Sequence, residues 1–308
     1  MQDVKLDNLE LFYDCLDESN NILYEELHRP YFELIEMTVN NILAGEVTID
    51  LDDEVVAKLD KVYEKIADVD FSVEDVRKAM QSIILRGFKE MGIPNGNTTP
   101  DTLGIFITYL ITKLNTNKEI SIADPLCGTG NLLITIANHL DKEVNLIACD
   151  NDLWMTKLTK LQSDLVGIDT EIYLQDTMSL YLSNVDVVTF DMPHCENNDN
   201  GYFPYQAILH YADYLKDNGA MIGIVENDFF DYDKNQEFKK DLLKKMTIIG
   251  IVELPDNIFK SSKPKIILVL KKSVEDKKCF MVKLPSFTDV KEFNESLIDI
   301  EAWFEKNK

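Results

Sequence analysis

The residues best suited to chemistry are acids and glycines that follow runs of apolar residues. The run "EISIAD" ends at Asp124, and the chain then continues as Pro-Leu-Cys-Gly-Thr-Gly over residues 125–130 into the helical pattern "NLLITIANHL". Gly128 and Gly130 allow backbone conformations and a close approach to a ligand that a Cβ atom would prevent. The start of the helix offers free N–H groups to an anionic group. This loop therefore predicts a ligand site.

Two later apolar runs also end in acids. Asp150, followed by Asn151, comes about twenty residues after the loop, where a carboxylate can accept both hydroxyls of a ribose. Asp176 follows the next run and is placed to meet an adenine amino group. The loop is neither G-x-G-x-x-G nor a P-loop with its lysine. The spacing favours a nucleoside ligand, although a different nucleotide, with both acids as ordinary strand-end caps, remains an alternative.

The elements that must position these residues change character along the chain. Residues 1–95 show helical patterns only, and the turn-rich "GIPNGNTTP" separates them from the rest of the chain. From residue 96 to residue 308, seven strand patterns alternate mostly with helical ones, which predicts a doubly wound, largely parallel, Rossmann-like α/β sheet. About ten residues join the last two strands, too few for a crossover helix, so we predict that the last strand is antiparallel. The end of the chain predicts one amphipathic helix.

Composition limits the possible functions. The formal net charge of −24 argues against a broad affinity for nucleic acid, which depends on clustered Lys and Arg. The five cysteines include no CxxC pair, and the four histidines are far apart, so we expect reduced thiols in a cytoplasmic protein and no metal site. No apolar run reaches membrane-spanning length, and the first residues do not resemble a signal peptide.

The order of these motifs resembles the class I S-adenosylmethionine-dependent methyltransferases, and more narrowly the N6-adenine type. "NTTPDTLGIFITYL" is similar to that group's Thr-Pro segment, and "IVELPDNIF…KIILVLKK" is similar to the Leu-Pro…Phe segment of type I restriction modification subunits. The resemblance covers roughly residues 96–272 and implies S-adenosylmethionine as cofactor, with Thr98 or Thr99 facing its methionine carboxylate. The implied cofactor-binding residues are Thr98, Thr99, Pro100, Asp124, Pro125, Cys127, Gly128, Thr129, Gly130, Asp150, Asn151 and Asp176.

The last residue of the run "VDVVTFD", Asp191, is also the first residue of the tetrad "DMPH". This tetrad stands where the group carries Asn/Asp-Pro-Pro-Tyr. There the first side chain and the next carbonyl accept the two amino hydrogens of a flipped base, the aromatic ring stacks on it, and a later Phe holds its other side. The implied catalytic residues are Asp191, Met192, Pro193, His194 and Phe259. Met192 replaces a proline that would stiffen the backbone, and His194 replaces the stacking Tyr. The alternative is a strand end followed by a proline turn.

Neighbouring Cys195 is predicted to be a loop thiol. A cytosine-C5 methylase needs its cysteine directly after the proline, and here a histidine intervenes.

Three functions fit the resemblance, which is closest to the small adenine-methylase-like YtxK-like group with its N-terminal helical domain. The first is methyl transfer to the exocyclic amino group of a nucleic-acid adenine, with nucleic acid bound weakly alone or through a partner subunit that supplies a basic surface. The second is methylation of a glutamine amide in proteins, which an acidic surface suits better. The third is a cofactor-binding interaction or sensing module with little or no catalysis. None of them requires a membrane, and the oligomeric state is left open.

Overall fold

The computed structural model describes residues 7–94, 98–196, 201–258, 263–273 and 279–307. Within these residues the α-helices are α1 (Asn8–Leu27), α2 (Tyr31–Ala44), α3 (Asp53–Ala67), α4 (Val73–Met91), α5 (Asp101–Leu114), α6 (Asn131–His139), α7 (Leu153–Val166), α8 (Phe203–Ala212), α9 (Glu237–Lys245) and α10 (Val290–Lys306). The strands are β1 (Glu119–Asp124), β2 (Glu143–Asp150), β3 (Thr170–Leu174), β4 (Val185–Asp191), β5 (Leu215–Glu226), β6 (Thr247–Glu253), β7 (Lys265–Lys271) and β8 (Phe280–Lys283).

Helices α1–α4 form the N-terminal part, as the sequence patterns predict. Helix α4 begins with a capping box in which the Ser72 hydroxyl accepts from the backbone of Asp75 and the Asp75 carboxylate accepts from the backbone of Ser72. It ends at Gly92, whose φ of 67° is left-handed. The apolar faces of α1, α2 and α4 pack together and also against Met155 and Leu158 of α7. The division at residue 95 stays a prediction, since residues 95–97 lie outside the described part.

The sheet confirms the predicted doubly wound α/β class. Its strand order is β3-β2-β1-β4-β5-β7-β6-β8, and the neighbouring strands β3, β2, β1, β4 and β5 are parallel. Strand β7 runs antiparallel to both β5 and β6, which confirms the antiparallel pair predicted from their short connection. Among the described residues, β8 adds an eighth strand, which pairs in parallel with β6 and which the sequence patterns did not indicate.

The strand order changes direction between β1 and β4, and the chemistry-bearing residues lie at this point. Asp124, Asp150 and Asp191 are the last residues of β1, β2 and β4. Parallel strands place their carboxyl ends on one edge of the sheet, so the three carboxylates share that edge. In the described part of the chain, no helix is both long and apolar enough to cross a bilayer.

Candidate functional site

A cavity of about 410 Å³ opens at the carboxyl edge of the sheet, where the strand order changes direction. This volume lies in the range of small-molecule and cofactor sites. The cavity is lined by Thr99, Asp124, Pro125, Leu126, Cys127, Gly128, Asp150, Asn151, Asp152, Met155, Asp176, Thr177, Asp191, Pro193 and Phe203. The loop after β1, the acids after β2 and β3, and the segment after β4 therefore face one space.

The loop between β1 and α6 is held by hydrogen bonds that require its glycines. Gly128 has a φ of 53°, and its N–H donates to the Asp150 carboxylate at 3.0 Å. Gly130 caps α6 with a φ of 79°, where a Cβ atom would come within 2.7 Å of the Thr159 side chain. The Thr159 hydroxyl donates to the carbonyl of Gly128 at 3.1 Å. The loop is thus fixed on α7 and β2 with its backbone against the cavity.

The acids at this edge are held in a low-dielectric surrounding. The pKa of Asp124 is raised to about 8, mainly by burial and to a lesser extent by the nearby Asp191 and Asp150, while the N–H of Leu126 opposes the rise. Burial also raises the pKa of Asp150, although its oxygens accept from the N–H groups of Gly128 and Asp152. The edge of the sheet therefore holds buried carboxyl groups whose ionised form a cationic ligand would favour.

The raised pKa of Asp124 predicts a pH dependence of stability. Between about pH 4, where an unfolded Asp ionises, and about pH 8, the folded protein retains a proton that the unfolded chain has lost. This group therefore makes the free energy of unfolding fall as pH rises through that window. We expect Asp124→Asn to gain stability relative to the wild type between about pH 5 and about pH 8, measured by urea unfolding. A difference between the two proteins that did not vary with pH would contradict the assignment.

Asp191 joins the two sides of the cavity. One of its carboxylate oxygens accepts from the hydroxyl of Thr99 at 3.1 Å, and the other accepts from the Lys265 ammonium at 2.5 Å. Lys265 Nζ also lies 3.4 Å from the carbonyl oxygen of Met192. The side chains of Lys265 and Asp191 are 13% and 11% exposed, so this ion pair is largely removed from water. The two oxygens predicted to accept an amino group are thus both in contact with one lysine.

His194 and Cys195 lie beside this pair. The His194 Nδ1 atom is 2.6 Å from the carboxylate of Glu226, which is almost fully buried and also binds Lys263 at 3.2 Å. The imidazole itself is 60% exposed and can meet a ligand with its outer face. Burial raises the pKa of Cys195, as does the charge of Glu226, so a thiolate there is disfavoured. The exposed ring of His194 is accessible to a planar group, and a thiol with a raised pKa, such as that of Cys195, is a weak nucleophile.

The structure brings most of the predicted site residues into one place. Ten of them line the cavity: Thr99, Asp124, Pro125, Cys127, Gly128, Asp150, Asn151, Asp176, Asp191 and Pro193. Thr98 and Thr129 are next in sequence to lining residues, and their hydroxyls are 3.3 Å apart. Pro100 and Gly130 are the N-cap residues of α5 and α6. Met192 is buried, and its carbonyl oxygen contacts Lys265. His194 contacts Glu226. Phe259 lies outside the described residues.

The cavity also contains residues that the sequence did not single out. These are Leu126, Asp152, Met155, Thr177 and Phe203. Asp152 caps α7 by accepting from the N–H of Trp154 at 2.7 Å, and the pattern "DNDLW" carries that signal. Phe203, the first residue of α8, presents the aromatic ring of the cavity wall. Lys265 and Glu226, which bind two of the predicted residues, are separated from them by 74 and 32 positions.

The sheet order and the position of the site define the class I methyltransferase fold. Residues 83–301 match the N-6 DNA Methylase family, and residues 10–88 match the YtxK N-terminal helical domain. The chain therefore belongs to the N-6 DNA methylase family.

Two relatives and one more distant solved structure are similar to this chain. The uncharacterized protein YtxK of Bacillus subtilis is 30% identical over 98% of this chain and 99% of its own length. A Listeria monocytogenes protein, proposed to be a class I S-adenosylmethionine-dependent methyltransferase, has a crystal structure with a TM-score of 0.86. Its sequence is 31% identical, and the match covers 96% of this chain and 99% of that one. The type I restriction-modification methyltransferase subunit of Streptococcus thermophilus shares the fold, with a TM-score of 0.65, 14% identity, and coverage of 96% and 74%.

Proposed function

We propose that this protein is an S-adenosylmethionine-dependent N-methyltransferase whose target is the exocyclic amino group of an adenine in nucleic acid. The observation that carries the proposal is the single cavity shared by the glycine loop, the strand-end acids and Asp191. Thr99 of the donor side is hydrogen-bonded to Asp191 of the target side at 3.1 Å. Family membership adds the N-6 DNA methylase chemistry to this geometry.

The residues present fit the donor. The loop at Gly128 leaves its backbone open to the cavity, Asp150 and Asp176 offer carboxylate oxygens to hydroxyl and amino groups, and Thr98 and Thr99 lie beside the start of α6. Burial raises the pKa values of Asp124 and Asp150, and a sulfonium cation beside them would favour the carboxylate forms that complement it. When bound, the donor supplies a methyl group activated by the positive sulfur.

The target side works by orientation and charge. The Asp191 carboxylate and the Met192 carbonyl are the oxygens that would accept the two hydrogens of an amino group in place of the Lys265 ammonium, and so draw its lone pair out of conjugation. The same carboxylate stabilises the positive charge that develops on the nitrogen as the methyl is transferred. His194, whose Nδ1 lies 2.6 Å from Glu226, offers its exposed face to a flipped base, and Pro193 lines the cavity beside it.

The charge of the protein affects how it meets nucleic acid. A net charge of −24 opposes binding to phosphate, and Lys265 and Lys263 are both engaged by acids. We infer that a partner subunit supplies a basic surface when the target is a duplex. Single-stranded or unstructured targets avoid the cost of base flipping and are the better first substrates.

The direct test is incubation of the protein with a methyl-labelled donor and either single-stranded DNA, duplex DNA, RNA or protein extract. We expect label in a nucleic acid, recovered as N6-methyladenine after digestion to nucleosides. Label found only in protein would redirect the target to a protein amide. Donor binding measured by calorimetry in the same preparation separates a failed donor site from a failed target site.

A second function is favoured by one observation, the engagement of both amino-accepting oxygens by Lys265. In this alternative the protein binds the donor but transfers nothing, and acts as a cofactor-sensing interaction module. Binding of the donor, without label in any of the four targets, would support this second function over the first.

Lys265 separates the two functions by mutation. If a target amino group must displace the ammonium, Lys265→Met lowers the KM for single-stranded DNA by about tenfold, the worth of one charge-assisted hydrogen bond. Methionine is uncharged, unbranched and only one heavy atom shorter than lysine. The matched control is Lys216→Met, because that lysine pairs with Asp186, a buried acid at the other end of the same strand as Asp191, at 2.6 Å. An unchanged or raised KM in Lys265→Met would show that the lysine does not compete with the target.

A further inference from the structure

Arg77 of α4 is fully buried, although it belongs to the N-terminal helices and not to the cavity. Its guanidinium forms a bidentate pair with Asp101, with Nη1–Oδ1 at 3.0 Å and Nη2–Oδ2 at 2.7 Å. A second pair, with Glu74 of its own helix, has distances of 2.8 and 2.9 Å. Removing the arginine alone is costly, because its carboxylate partners would then be left without the positive charge that compensates them.

The other partners of Arg77 connect it to the cavity. Nη1 donates to the hydroxyl of Thr135 at 3.0 Å and to the amide oxygen of Asn131 at 3.3 Å, both in α6. Asn131 in turn donates its amide hydrogens to the carbonyl of Thr99 at 2.6 Å and to Asp101 at 3.0 Å. One side-chain amide therefore joins the arginine to the Thr-Pro segment.

Two partners of Arg77, Asp101 and Asn131, are the first residues of helices that follow cavity-lining segments. Asp101 is the first residue of α5 and directly follows the segment Thr98–Pro100. Asn131 is the first residue of α6 and directly follows the glycine loop. Arg77 therefore holds the starts of two helices that carry the walls of the cavity. Bidentate arginine pairs fix orientation as well as distance, which a lysine would not do.

We propose that Arg77 is a positioning residue through which the N-terminal helices set the part of the cavity that receives the amino-acid end of the donor. The inference rests on the proposed function and on the family resemblance, which implies that Thr98 or Thr99 faces the methionine carboxylate. The adenosine end, held by the strand-end acids after β2 and β3, is independent of the network. Arg77 thus gives the N-terminal helices a role in donor selection.

The experiment compares two ligands of the purified full-length protein. S-Adenosylhomocysteine has both ends, and 5′-methylthioadenosine lacks the amino-acid end. We expect Arg77→Met to weaken binding of S-adenosylhomocysteine by about tenfold or more, on the scale of one lost charged contact, and binding of methylthioadenosine by less than about twofold. General damage to the fold would weaken both ligands alike. Calorimetric titration measures both constants.

A matched control exists on the same helix. Arg86 also pairs with two acids, Asp17 and Glu90, but these contacts stay within the N-terminal helices. We expect Arg86→Met to leave both affinities unchanged.

If Arg77→Met does not fold, Asp101→Asn breaks the same pair while retaining the size of the side chain, and the same selective loss is expected. Equal loss of both ligands, or of neither, in folded variants would overturn the inference while the proposed function stands. A wild-type protein that bound neither ligand would overturn both.

Discussion

Asp191→Ala is expected to reduce methyl transfer to nucleic acid by at least about 100-fold, the effect of removing one preorganised electrostatic group from an active site. The carboxylate is the side-chain acceptor at the end of β4, and alanine leaves only the Met192 carbonyl to orient an amino group. Donor affinity is expected to stay within about threefold, because the strand-end acids and the glycine loop are untouched. Scintillation counting of DNA and calorimetry of the donor measure the two quantities.

Two further variants test whether the loss of activity is specific to the Asp191 carboxylate. Asp191→Asn keeps an oxygen acceptor in the same place and is expected to retain more activity than alanine does. Asp186→Ala is the matched control, since Asp186 is a buried acid on the same strand that also pairs with a lysine, Lys216 at 2.6 Å. It lies five residues from Asp191, at the other end of β4. Equal activity losses in Asp186→Ala and Asp191→Ala would argue against a special role for Asp191.

Gly128→Val is expected to lower donor affinity by about 100-fold or more without unfolding the protein. The residue lines the cavity with a φ of 53°, and a β-branched side chain is strained there by roughly 1–3 kcal/mol. Relief of that strain moves the N–H that binds Asp150, so that both the loop and its acid partner leave their positions. Titration with S-adenosylhomocysteine measures the loss, and circular dichroism checks the fold.

Gly167→Val is the corresponding control. Gly167 follows α7 with a φ of 69°, and a Cβ atom there would meet open space. The backbone strain is therefore similar, but the position is a helix end outside the cavity. We expect reduced stability and unchanged affinity. If both variants lost donor affinity equally, the effect of Gly128 would come from general destabilisation and not from the loop.

Local patterns predicted most of the fold because the relevant signals are short in sequence. Strand runs that end in Asp124, Asp150 and Asp191 carry both the hydrophobic pattern and the polar residue that follows it. The antiparallel pair follows from the length of one connection. Strand β8 was not predicted because it has only four residues and two of them, Met281 and Lys283, are exposed, so that its burial pattern is weak.

The network around the site could not be predicted, because its partners are distant along the chain. Lys265 reaches Asp191 across 74 positions, and Arg77 reaches Asn131 across 54. Lys265 occurs at the start of a strand whose pattern indicates only burial of the following residues. Arg77 occurs in an amphipathic helix, where an arginine is normally on the solvated face. Sequence spacing predicts which strand end carries an acid, but it does not predict which side chain neutralises that acid.

The hydroxyl of Thr99 has a wider consequence, because it belongs to both halves of the cavity at once. It lies in the segment held by Asn131 and donates to Asp191. A ligand that moves this hydroxyl on one side changes the hydrogen bonding of the carboxylate on the other. Thermodynamic reciprocity then requires the cofactor to alter the affinity for the methyl acceptor by the same factor as the acceptor alters that for the cofactor. If the proposed function is correct, the protein would accordingly show heterotropic cooperativity between donor and acceptor within one cavity.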